Sequence, residues 1–138
     1  MKVLVSACLL GTNCKYNGGN NYSEKLAAFL EDKEVIAVCP EVMGGLSIPR
    51  PAGEIVKGIV RSKEGISLDE AYHRGAEKAL AIARKEAPDL LILQSRSPSC
   101  GVKEIYDGSF SGKKIPGQGV FASLALKEGF RVIDIADL

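Results

Sequence analysis

Three short apolar runs, each delivering a cysteine at or just past its end, constrain this chain more than any other feature. "KVLVSACLLG" carries Cys8 out of the first run, "EVIAVCPEVMGG" carries Cys39 out of the second, and "DLLILQSRSPSCG" carries Cys100 past the third. Runs of Val, Ile and Leu without polar alternation are the pattern of strands covered on both faces. Helical stretches lie between and after them. Ser23 precedes "EKLAAFLED", in which Leu26, Phe29 and Leu30 share one face by i, i+3, i+4 spacing. Ser67 and Glu70 read as a capping box at the head of a helix running to about Glu86, with Leu68, Tyr72, Ala76, Ala79 and Ala83 on one apolar stripe. "GVFASLALKEG" predicts a last helix ending at Gly129, and "RVIDIADL" a final strand. "EIVKGIVRSKEGI" predicts a small exposed hairpin, and Pro40 is expected to stop the second strand.

Strands alternating with helices predict an α/β fold, a Rossmann-like three-layer arrangement around a parallel sheet of about four strands, plus the hairpin. The length suits one domain over residues 1–138. In a parallel sheet all carboxyl ends emerge along one edge, and ligands bind there. Cys8, Cys39 and Cys100 lie 31 and 61 residues apart in the chain (39 minus 8, and 100 minus 39), yet the topology brings them to that one edge. Strand neighbours sit ~4.8 Å apart, so three thiols can converge on one small object.

Charge and hydropathy narrow the function classes. Eighteen basic and seventeen acidic residues leave a net charge of +1, which argues against a broad nucleic-acid-binding face. No apolar run approaches the ~18–20 residues of a membrane span, and seven residues before Cys8 are too few for a signal peptide. The expected compartment is therefore the reducing cytoplasm, where thiols serve metals, catalysis or packing rather than disulfides.

Crowded thiolates repel one another unless a cation compensates them. Their soft donors select zinc, Cu(I) or an iron–sulfur cluster. A closed zinc site needs four ligands, and Cys14 is the one further thiol, in a loop that no strand positions. A 4Fe–4S cube held by three cysteines instead leaves one iron open to a substrate atom. Glu41, two residues after Cys39, and Ser97, three before Cys100, are then candidates to move protons in the same crevice; otherwise they are a loop carboxylate and a turn serine. His73, the only histidine, falls mid-helix and reads as a surface residue, which removes Cys–His nucleophile schemes. Gly101 and the Gly44–Gly45 pair are expected to let backbone approach a ligand. "GSFSGKKIPGQG" is a glycine-rich loop without the G-K-[ST] ending of a phosphate loop.

"SACLLG", "CPEVMGGL", "RPAGEIV" and "SRSPSCG", in that order and spanning essentially the whole chain, resemble the thiouracil desulfurase (desulfidase) family. The resemblance implies a 4Fe–4S cluster on Cys8, Cys39 and Cys100, with catalytic roles for Glu41 and Ser97. It implies non-redox removal of sulfur from a thiolated pyrimidine. The open iron would take the thiocarbonyl sulfur and water would attack the carbon. Glu41 would exchange the proton, Ser97 would assist, and hydrosulfide would leave. The expected partner is a small thiolated base or nucleotide. Arg50 and Ser99 are candidate substrate contacts, Arg50 being equally suited to pair with Glu54 or another carboxylate. Two further readings stay open: a metal or sulfur carrier without turnover, and a component of thiolated-RNA processing.

Overall fold

Each apolar run folds as a strand, and a computed structural model describes all residues from Met1 to Leu138. Along the chain come β1 (Lys2–Ser6), α1 (Glu24–Leu30), β2 (Glu34–Val38), α2 (Pro40–Met43), β3 (Gly53–Val56), β4 (Ile59–Ser62) and α3 (Asp69–Glu86). These are followed by β5 (Leu90–Leu93), β6 (Glu104–Tyr106), β7 (Lys114–Pro116), α4 (Val120–Lys127) and β8 (Val132–Asp134). β2, β1, β5 and β8 pair in that order, all parallel. The expected sheet is therefore present, and its two central strands explain the unbroken apolar runs. Val3, Val5, Leu90 and Ile92 face a layer built on Leu26 and Leu30 of α1. Leu4, Leu91 and Leu93 face the other layer, where Ala76, Ala79, Leu80 and Ala83 of α3 meet Phe121 and Ala125 of α4. Successive residues of a strand point to opposite faces, so a strand covered on both sides is apolar at every position. No helix is long and apolar enough to cross a membrane.

The structure departs from expectation at several elements. β2 is an edge strand; Val35 is 38 % exposed and only Val38 of the strand is buried. Its apolar sequence reflects β-propensity on a half-covered surface rather than full burial. Pro40 does not merely stop β2: it occupies the first turn of α2, where its missing N–H costs nothing. The capping box does not form. Leu68 is the residue before α3 and makes no side-chain cap, while Asp69 Oδ1 accepts the Val60 N–H at 3.0 Å and ties the helix to β4. The expected hairpin is β3–β4, turning through Lys57 and Gly58, both at positive φ as a two-residue hairpin turn requires. A second hairpin, β6–β7, was not anticipated.

One crossing positions the site. A Cβ on Gly44 would lie 2.0 Å from the Ala71 carbonyl oxygen, and one on Gly75 would lie 1.7 Å from the Pro40 carbonyl oxygen. The short helix after Cys39 therefore rests backbone-to-backbone on α3. The Gly44 close approach thus serves helix packing and not a ligand, and Gly101 likewise packs against the Ser97 and Glu104 carbonyls.

Candidate active site

The carboxyl edge of the sheet opens into a cavity of about 600 Å³. Cys8 enters it from the 3₁₀ turn that follows β1, Cys39 from the junction of β2 and α2, and Cys100 from the loop after β5. Cys14 lines the same cavity; its carbonyl lies 3.8 Å from Cys39 Sγ. Three strand ends and one loop thus deliver all four cysteines, each unpaired, to one space.

Glu41 sits in the first turn of α2 and reaches into the cavity. Its Oε1 accepts the Tyr72 hydroxyl at 3.0 Å and Arg50 Nε at 3.1 Å, while its Oε2 accepts Ser99 Oγ at 2.7 Å. Arg50 is buried, and its Nη2 also donates to the Cys14 carbonyl at 2.7 Å. The guanidinium therefore links the Cys14 loop to the Glu41 helix. The Tyr72 phenol is held above its usual ionisation range, first by burial and then by the Glu41 charge, so it remains a donor.

The "SPSC" stretch is a turn locked by its own polar groups. Ser97 Oγ accepts the backbone N–H of Ser99 at 3.1 Å and of Cys100 at 3.0 Å, and lies 2.9 Å from Ser99 Oγ. Because Ser99 donates its proton to Glu41, Ser97 donates to Ser99, giving a directed chain from Ser97 through Ser99 to Glu41 Oε2. The first N–H groups of α4 close the turn from outside: Val120 N donates to the Pro98 carbonyl at 2.8 Å and Phe121 N to the Ser99 carbonyl at 2.9 Å. Helix N-termini have unpaired donors, and here they fix the serines.

The soft thiol donors lining the cavity are of the kind that hold an iron–sulfur centre. No three His, Cys, Asp or Glu side chains lie close enough together to share one metal ion. A 4Fe–4S cube takes soft thiolate donors arranged around a cluster, and Cys8, Cys14, Cys39 and Cys100 all line this cavity. Burial pushes the Cys100 thiol up to about 12 and raises Cys8 and Cys14 as well. Such thiolates need a cationic centre to form. Asn21 Nδ2 donates toward Cys8 Sγ at 3.5 Å, the kind of N–H···S contact that tunes a thiolate ligand.

Sequence reading located part of this constellation and missed part. Cys8, Cys39, Cys100, Glu41, Ser97 and Ser99 all line the cavity, and His73 lies outside on the surface, paired with Asp69 at 3.3 Å. Arg50 meets Glu41, not Glu54; Glu54 instead accepts the Gly108 and Phe110 N–H groups. Tyr72 and Asn21 were not anticipated as site residues. Tyr72 fits an apolar helical stripe, and only a hydroxyl directed at a buried carboxylate distinguishes it from core. Asn21 was one of several asparagines in "NGGNNY".

Known proteins resemble this chain over nearly its whole length. The chain is 41 % identical to the uncharacterised protein YbbK of Bacillus subtilis strain 168, across 99 % of this chain and 97 % of that one. Its fold superposes with a TM-score of 0.93 on the solved structure of TudS, a [4Fe-4S]-dependent thiouracil desulfidase, at 36 % identity over 99 % of this chain and 92 % of the other. The family profile described as 2-thiouracil desulfurase matches residues 3–137, so the chain belongs to the 2-thiouracil desulfurase family.

Proposed function

We propose that this protein is an iron–sulfur-dependent desulfidase that converts a thiolated pyrimidine to its oxo form and hydrosulfide without a redox partner. The observation that carries the reading is the meeting, in one cavity, of three strand-end cysteines with a carboxylate–hydroxyl chain. Cys8, Cys39 and Cys100 would hold a 4Fe–4S cluster. When bound, it supplies a thiophilic Lewis acid that makes the carbon of a C=S group electrophilic. Glu41 acts at Oε2, taking a proton from the attacking water and returning one to the leaving side. Ser99 Oγ and Ser97 Oγ relay protons between Oε2 and the reacting carbon–sulfur group: one water proton leaves with the sulfur as hydrosulfide, and the hydroxyl proton of the water adduct is given up through Glu41 to solvent as the C=O forms. The two backbone N–H groups on Ser97 Oγ steady it while its proton moves. Arg50 serves as an anchor for Glu41 and the Cys14 loop, and it also lines the cavity where a substrate would lie. Lys15, Lys63 and Arg96 line the cavity and none is in an ion pair, which leaves cationic partners for a phosphate should the base carry one.

The test is anaerobic reconstitution followed by incubation with 2-thiouracil, its nucleoside and its nucleotide. Release of hydrosulfide and appearance of the oxo base, with no electron donor present, is the expected result. Protein that binds a full complement of iron and sulfide yet desulfurates none of these would instead be a carrier of metal or sulfur.

A further inference from the structure

Glu41 divides its two oxygens between unlike partners. Oε1 is held by Tyr72 Oη at 3.0 Å and by Arg50 Nε and Nη2, both at 3.1 Å. Oε2 meets Ser99 alone. Arg–carboxylate pairs commonly settle as two-oxygen forks, yet here both guanidinium contacts fall on the same oxygen. The helix that carries Glu41 is four residues long, too short to be stable by itself, so its placement rests on packing against α3. Tyr72 comes from a different element, α3, and is 1 % exposed. The glycine crossing of α2 on α3 is what brings its hydroxyl to Oε1.

We propose that Tyr72 is a positioning residue: its hydroxyl keeps Oε1 of Glu41 engaged, stops the carboxylate from rotating into a fork on Arg50, and so reserves Oε2 for the Ser99–Ser97 hydroxyls. The inference rests on the proposed desulfidase reading, in which Oε2 is the oxygen that exchanges the proton. Tyr72 borders the cavity, but its one side-chain hydrogen bond is to Glu41, through which it acts in this scheme.

Tyr72→Phe tests it, since the ring is kept and one hydroxyl is lost. In the loaded enzyme kcat should fall ~10–100-fold with KM changed less than about twofold, as expected for a displaced proton-transfer group. In a Glu41→Gln background the same change should have no further effect on kcat, because the residue through which Tyr72 acts is already disabled. A second readout does not depend on turnover. In cluster-free protein labelled with ¹³C at glutamate carboxyls, the Glu41 resonance, assigned by its loss in Glu41→Gln, should shift in Tyr72→Phe. Active wild type with an equally active Tyr72→Phe overturns the inference and leaves the desulfidase reading standing. Inactive wild type overturns that reading, and an unmoved Glu41 resonance then overturns the positioning claim independently.

Discussion

Cys8, Cys39 and Cys100 differ from Glu41 and Ser97 in what their loss should remove, and single substitutions separate the two groups. Replacing any of the three cysteines by Ser should abolish the brown, oxygen-sensitive chromophore after anaerobic reconstitution. On the three-cysteine assignment Cys14→Ser should leave iron content near wild type, and its backbone carbonyl still anchors Arg50. Iron and sulfide counts on the four variants check this; loss of the cluster in Cys14→Ser would mean that four protein thiols close the site. Glu41→Gln keeps the shape of the side chain and Ser97→Ala removes one hydroxyl. Both should keep iron and lose turnover by ~10²–10⁴-fold, the usual cost of deleting a general acid–base group. Ser99→Ala should fall in the same range, since the hydroxyl of Ser97 reaches Glu41 only through Ser99. Normal turnover in Ser99→Ala would break the relay and return Ser99 to the role of a turn residue.

At the scale of elements, Gly75 shows how packing overrides local preference. A glycine inside an exposed helix costs roughly 0.5–1 kcal/mol relative to alanine, so Gly75→Ala on propensity alone should stabilise α3. The Pro40 carbonyl 1.7 Å from the new Cβ reverses the sign, because backbone on both sides must part. Overpacking typically costs ~1–3 kcal/mol, and the upper end is expected here. A lower Tm in thermal melts, together with lost turnover as Tyr72 leaves Glu41, is the predicted outcome; a raised Tm would show that α2 shifts freely. The same crossing shows what sequence could and could not disclose. β1 and β5 were legible because burial on both faces leaves an apolar signature, and the cysteines were legible because they mark strand ends. β6 and β7 were not, since three-residue strands carry no periodic signal, and β7 adds a lysine and a proline that disfavour a strand reading. Nor was the Tyr72–Glu41 contact: two residues 31 positions apart meet through a glycine pair whose role is visible only when both helices are in place.

The molecule as a whole is asymmetric along its strands. Its apolar layers are built by β1 and β5 with α1, α3 and α4, whereas the carboxyl edge is made of loops rich in polar contacts. Cys8 and Cys14 are embedded in the layer on the α1 side and Cys100 in the layer with α4, so a shared cofactor would tie loops of both layers across the sheet edge. A ligand that binds only the folded state adds stability, but it protects most where its own ligands lie. Removing the cluster should therefore loosen residues 8–21, 39–50 and 95–101 while the strand cores of β1 and β5 stay closed. Their amides are satisfied by sheet pairing, and their side chains are buried without help from the cavity. Hydrogen exchange compared between anaerobically loaded and cluster-free protein measures this segment by segment. Faster exchange confined to the three cysteine-bearing segments is the expected pattern. Exchange that accelerates equally through β1 and β5 would mean that the sheet itself depends on the cofactor, and that the cluster is as much a folding element as a catalytic one.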